Sequence, residues 1–329
     1  MTKNEYLNKL RDGLSGMDDG EREAAMQFYT EYFEDAGEEN AEKIMTELGD
    51  PEKLAQEIKK QCAYSAKSEP AAEAETAARG EAFTGIHSET VNAKLILLRG
   101  NEYRVDLDIP EGVKKPDVSI RNGVLNIEEE EGPKSIINVF DGNFWSNAFG
   151  KRAAWRQSVI TITVPDVQFN DFSFETVNGT IDITKCASGS TDNVPALCLS
   201  SLKCEAVNST INVARVNADK IHIENVNGST NATDCTATAG CHCETVNGSV
   251  KLTGSIRGKV HLESVNGSVV FSTTEKREQF NCEFDTMSGS VYINGEKQSR
   301  KHAAIKNSAA ESSLKAETIN GSVRADFAV

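Results

Sequence analysis

Seven times between residue 175 and the C-terminus the chain spells a version of Glu-x-Val-Asn-Gly-Ser-Val, and this repetition limits the folds open to it more than any other feature. The copies start at Glu175, Glu205, Glu224, Glu244, Glu263, Asp285 and Glu317. Measured between their fourth positions (Asn178, Asn208, Asn227, Asn247, Asn266, Ser288 and Asn320), the spacings are 30, 19, 20, 19, 22 and 32 residues. A near-constant period of this size marks an array in which each unit completes its core only against its neighbours.

Aligned on the Asn, the copies show columns. Three and five residues after it stand pairs such as Ile181/Ile183, Val250/Leu252 and Val269/Phe271. Four and six residues before it stand Phe174/Phe172, Ile223/Ile221 and Leu262/Val260. Both sets alternate with polar residues, so each unit carries two short strands with one apolar face apiece. The Asn-Gly between them is expected to supply positive φ at a tight corner. Asn-Gly is also a strong hairpin signal, so a long antiparallel meander is the competing fold. A meander would leave a wide apolar face with no later helix to cover it, whereas parallel stacking in a β-solenoid of roughly 20-residue coils buries both columns. A sandwich or barrel is the remaining alternative.

Ahead of the array, residues 85–171 show further strand patterns, the most regular being Val159–Pro165, and the regular repeats run over 172–329. Residues 1–62 have helical periodicity instead: Leu7, Leu10 and Leu14 form one stripe and Met26, Tyr29 and Phe33 another. Leu48-Gly49-Asp50-Pro51 reads as a helix stop and restart, with Gly at C′, Asp as N-cap and Pro at N1. Residues 63–84, rich in Ala, Glu and Ser, read as a linker. The expected architecture is a small N-terminal helical bundle followed by a β-solenoid over 85–329.

Two resemblances fit this division. Asn4-Glu5-Tyr6-Leu7, the Tyr29/Tyr32/Phe33 cluster and Ile44–Pro51 with Ala55 resemble the HAAS domain, a bacterial helical signalling module. That resemblance implies a protein partner, in particular a PadR-type winged-helix regulator, docked by the helices. The V-[NS]-G-[ST]-[IV] phrase resembles a bacterial putative-adhesin family, which implies a right-handed parallel β-helix and, through its name, export.

The formal charge of −15 argues against direct nucleic-acid binding, because phosphate neutralisation needs clustered Lys and Arg. Residues 1–62 hold 16 acidic and 8 basic side chains, so about half of the excess lies there. No run approaches the roughly 18 apolar residues of a membrane span. With no leader-like pattern at the N-terminus, a cytoplasmic location is expected, the cell surface being the alternative. The eight cysteines include no CxxC pair and are expected as reduced, mostly buried thiols.

Position −3 from the Asn is acidic in every copy, and position −5 offers Lys203, His222, His242, His261 and Lys315. Three consecutive units therefore read His-x-Glu, through His222/Glu224, His242/Glu244 and His261/Glu263. Imidazole beside carboxylate is a zinc-type donor set, although a cationic column relieving an acidic stripe explains the same pattern. The segment 139–155 holds Phe140, Phe144, Trp145, Phe149 and Trp155, either as a binding or homo-oligomerisation loop or as a plug for the open end of the array. Tyr29, Tyr32 and Phe33 are the interaction candidates of the helical part. No nucleophile elbow, P-loop or dinucleotide fingerprint occurs, and no cofactor is expected. The expected function is non-enzymatic, a scaffold that docks a protein and presents a binding surface. The alternatives are an exported adhesin-like binder of carbohydrate or protein and a carbohydrate-active β-helix enzyme.

Overall fold

A computed structural model describes residues 1–16, 26, 29, 33, 45, 48–56, 59, 75–110, 113–129, 157–188, 195–299 and 301–328. The chain divides into two compact units, Met1–Ala74 and Glu75–Val329.

In the first unit, α1 spans Lys3–Gly13 and starts from a capping box: Glu5 N–H donates to Thr2 Oγ1, and Thr2 N–H donates to the Glu5 carboxylate. The apolar stripe buries as its spacing requires, with Tyr6, Leu7, Leu10 and Leu14 inside alongside Met26, Tyr29, Phe33 and Ala55. The Tyr6 and Phe33 rings lie 5.5 Å apart. Gly13 is a packing requirement, since a Cβ there would stand 2.6 Å from Ala55 Cβ. The stop-and-restart signal forms as read: Gly49 takes φ +76°, and Asp50 Oδ1 accepts from the N–H groups of Glu52 and Lys53.

The second unit is β-rich and solenoid-like. The segment before each Asn pairs in parallel with its counterpart, in register at the acidic position: Glu175↔Glu205↔Glu224↔Glu244↔Glu263. The segment after it does the same through Ile181↔Ile211↔Thr230↔Val250↔Val269. Inward residues of both segments, among them Phe172, Phe174, Ile221, Ile223, Leu252, Leu262 and Phe271, make one continuous core. Cys204, Cys235, Cys241, Cys243 and Cys282 are buried in it as small apolar side chains, and the described cysteines are free.

Four features depart from the sequence reading. Residues 75–79, assigned above to the linker, form the strand Glu75–Arg79, antiparallel to Arg104–Asp108. Ion pairing of Arg79 with Glu102 and a hydrogen bond from Thr76 to Asp106 fix it there, while its exposed Ala-rich face hides the strand pattern. Second, the copies do not stack in chain order. The last one (Ser312–Thr318 and Val323–Ala328) lies between the fifth and the sixth, pairing Glu263↔Glu317 on one side and Asp285↔Glu317 on the other.

Third, an eighth copy precedes the seven. Glu89-Thr90-Val91-Asn92 pairs in register with Glu175 and Thr176, and Glu128 pairs with Glu89 beyond it. Ala93 in place of Gly and Lys94 in place of Ser conceal it in the sequence. Fourth, the phrase glycines owe their place to close approach; only Gly228 among them has positive φ. A Cβ on Gly248 would stand 2.1 Å from Gly228 O, on Gly267 1.8 Å from Gly248 O, and on Gly321 1.9 Å from Gly267 O. Each glycine thus lets the carbonyl of the preceding coil occupy the volume of a methyl group. The αL Asn-Gly hairpins lie outside the repeated phrase, at Asn122-Gly123 and Asn294-Gly295.

Candidate functional site

The corner of each coil is held by two columns of hydrogen bonds. Asn side chains donate along the stack from Asn208 to Asn178, Asn227 to Asn208, Asn247 to Asn227, Asn266 to Asn247 and Asn320 to Asn266, at 2.7–2.9 Å. Ser288 donates to Asn320 in the copy that lacks the Asn. In most copies the unnamed second position of the phrase is a buried hydroxyl. Thr245, Ser264, Thr318 and Thr286 donate to the glycine carbonyls of residues 228, 248, 267 and 321. These columns are structural, and they leave the acidic position and its neighbour two residues earlier as the outward-facing chemistry.

That outward stripe is longer than the seven copies predict. The pairings order its carboxylates as Glu128, Glu89, Glu175, Glu205, Glu224, Glu244, Glu263, Glu317 and Asp285. Beside them run His87, Ser173, Lys203, His222, His242, His261 and Lys315. All five histidines of the chain belong here, because His87 stands 3.0 Å from Glu89 and His302, on the strand His302–Ile305, stands 3.2 Å from Asp285. Neither was found from the sequence; the signal for His87 was the Glu-Thr-Val-Asn two residues after it.

Lys203, His222, His242 and His261 each sit between the carboxylate of their own coil and that of a neighbour. Lys203 Nζ is 2.7 Å from Glu205 and 3.3 Å from Glu175. His222 Nε2 is 2.9 Å from Glu224 and 3.9 Å from Glu205; His242 Nε2 is 3.5 Å from Glu244 and 3.7 Å from Glu224. His261 Nε2 is 3.5 Å from Glu263 and 3.8 Å from Glu317, and Lys315 Nζ is 2.6 Å from Glu317. The His222 and His242 rings stack at 4.9 Å and 12°, and His261 meets His242 edge-on at 5.1 Å. Burial, then the imidazoles of His222 and His261, hold His242 below the usual histidine range, with Glu224 and Glu244 offsetting part of this. Burial alone would lower Lys203, but its pairing with Glu205 and Glu175 outweighs that and raises it.

The six metal candidates of the sequence therefore come together on one surface. Tyr29 and Phe33, expected as docking side chains, are 6% and 1% exposed and belong to the core of the helical unit, so an approaching partner meets other side chains. Tyr32, Phe140, Phe144, Trp145, Phe149 and Trp155 lie outside the described residues. What ends the strand stack among the described residues is antiparallel pairing. Asp117–Arg121 lies beside Val124–Glu128 at one end, and His302–Ile305 lies beside Phe280–Thr286 at the other.

A parallel, in-register stack with a charged outer ladder, preceded by a small helical domain, defines a two-part repeat protein. The chain belongs to the Toastrack DUF4097 family, which it matches over residues 109–325, and carries a HAAS domain over residues 5–57. Two solved structures are distantly similar. A putative cell adhesion protein from Clostridium sporogenes ATCC 15579 is 10% identical, with 75% of this chain and 94% of that chain covered and a TM-score of 0.31. A putative adhesin from Bacteroides fragilis NCTC 9343 is 12% identical, with 75% and 93% covered and a TM-score of 0.28. No curated protein matches the chain. Among the described residues no helix is long and apolar enough to cross a membrane.

Proposed function

We propose that the protein is a non-catalytic scaffold in which the acidic HAAS unit docks a protein partner and the Toastrack unit presents the charged ladder as a binding surface. The observation that carries this reading is the repetition of the stripe itself. A catalytic carboxylate pair needs one desolvated position set apart from the rest, and here each described carboxylate of the array has equivalents one coil away. A PadR-like regulator is the partner class we read for the HAAS unit, and a core holding five buried thiols, which suits reducing conditions, supports a cytoplasmic setting for that reading. Offsets of 19 and 20 residues between in-register partners support coils of roughly 20 residues, and the strong preference for right-handed parallel crossovers supports a right-handed winding.

The experiment compares the full chain with a chain lacking residues 1–62 for binding to the PadR-type regulator encoded nearest to it, by biolayer interferometry across a salt series. The full chain is expected to bind in a salt-sensitive manner, and the shortened chain to show no binding. Equal binding by both removes the helical unit from the reading. Failure of both, combined with retention of the full chain on cell-wall polysaccharide, replaces it with the exported-binder reading.

A further inference from the structure

The column beside the acidic stripe changes character along its length. Lys203 at one side and Lys315 at the other are permanent cations that lie within 3.3 Å of stripe carboxylates. Between them stand three imidazoles, His222, His242 and His261, beside Glu224, Glu244 and Glu263, so the permanent cations give way to nitrogen donors over three consecutive coils.

The distances in this middle section are informative. Beside the 2.9 Å His222–Glu224 contact, four His–Glu separations there, 3.5, 3.7, 3.5 and 3.8 Å, exceed hydrogen-bond length. Two atoms each about 2.1 Å from one tetrahedral ion stand about 3.4 Å apart, so these separations are close to the edge of a shared coordination shell. Two groups satisfy the condition together, with all donor atoms within 4.8 Å of one another: His222, Glu224 and His242, and next to it His261, Glu263 and Glu317. In the second group the His261 Nε2 atom is buried and has no hydrogen-bond partner, an orphaned lone pair or N–H directed toward carboxylate oxygens.

We infer that this section of the stripe is a binding site for zinc or a similar late first-row divalent ion, held by His222, Glu224 and His242, with a second position, of one imidazole and two carboxylates, at His261, Glu263 and Glu317. At the first position two imidazoles and a carboxylate, and at the second one imidazole and two carboxylates, form N/O donor sets that favour zinc over magnesium, which prefers an all-oxygen shell. The ligands come from different coils, so a bound ion ties neighbouring coils together through side chains. It also supplies the positive charge that lysines supply on either side. Three protein ligands leave a coordination position open to water or to a group from a partner.

The test uses the full, metal-stripped chain. Zinc is titrated by calorimetry and cobalt(II) by visible absorption, for the native chain and for the variants H222Q/H242Q, H261Q and H222Q/H242Q/H261Q. These side chains face outward, and circular dichroism checks that each variant is folded. The native chain is expected to take up two zinc ions. The double variant should lose one with an affinity drop of about 100-fold or more, H261Q the other, and the triple variant both. Uptake of a single ion, lost in H222Q/H242Q and retained in H261Q, supports the first position and removes the second. Absence of binding, uptake unchanged in the triple variant, or a thiolate-to-cobalt charge-transfer band overturns the inference.

Discussion

Replacing Gly267 by alanine tests the account of the coil corner directly. An added Cβ would lie 1.8 Å from Gly248 O, where ordinary contact begins near 3.4 Å, so one coil must move by about 1.6 Å relative to the next. That shift is a third of the roughly 4.8 Å strand spacing. It would carry the 2.8 Å Asn266–Asn247 ladder bond and the 3.2 Å Gly248 N–H to Asn266 O bond beyond hydrogen-bonding range. Losing two or three such bonds at about 1 kcal/mol each, with added packing strain, predicts a cost of about 3–5 kcal/mol. Gly295 provides the contrast. It has φ +78° in a hairpin, and a Cβ there meets nothing within 4 Å, so G295A should cost only about 1 kcal/mol. Urea unfolding followed by far-ultraviolet circular dichroism gives both values. If G295A proves the more damaging variant, or G267A costs less than about 1 kcal/mol, then close approach is not what selects glycine in the array.

Other predictions concern single side chains. Asn247→Ala removes two ladder bonds at a surface position and should cost about 1–2 kcal/mol in the same assay. Arg99 is 3% exposed, donates to the carbonyls of Ile183, Ala214 and Arg215, and is lowered by burial to about 10, so it stays charged at neutral pH; Arg99→Met should cost about 2–4 kcal/mol by thermal or urea unfolding. Burial raises Glu129 above the usual carboxylate range against the N–H groups of Val91 and Asn92, so its ionisation opposes folding increasingly as pH rises past the unfolded value; Glu129→Gln should raise the melting temperature at pH 7–8 and leave it unchanged at pH 4. His242 is displaced downward, so the unfolded chain binds the proton more readily and stability falls as pH drops below about 6.5; melting temperatures between pH 7 and 5 should decline less steeply in His242→Gln.

Much of this fold was legible because its periodicity is chemical as well as numerical. The apolar columns at −6, −4, +3 and +5 from the Asn are all buried by parallel stacking without a covering helix, and the pairings place them so. The stop-and-restart at Gly49-Asp50-Pro51 was equally plain, since each residue there has one preferred backbone role. Less visible was anything decided by neighbours in space. Asn-Gly reads as a positive-φ corner from the sequence, yet the same dipeptide makes an αL hairpin at residues 294–295 and a flat, close-packed corner at 266–267. The second position of the phrase looked free to vary; its buried hydroxyls answer the glycine carbonyl of another coil, which no single coil reveals. His302 joins the stripe by an antiparallel return, and the Glu89 copy joins it despite losing its glycine.

The interleaving of the last copy has a consequence for how the chain is made. In a simple stack each new coil emerges from the ribosome onto a finished neighbour, and folding can follow synthesis. Here residues 280–293 have no strand from the preceding coils beside them among the described residues; their parallel partners are residues 312–325, which themselves bridge to the fifth copy. That part of the stack can close only after residues 312–325 are available, so its assembly waits for strands made later. The strands of the last copy thus act as a keystone, joining the fifth and sixth copies that chain order alone would have left as direct neighbours.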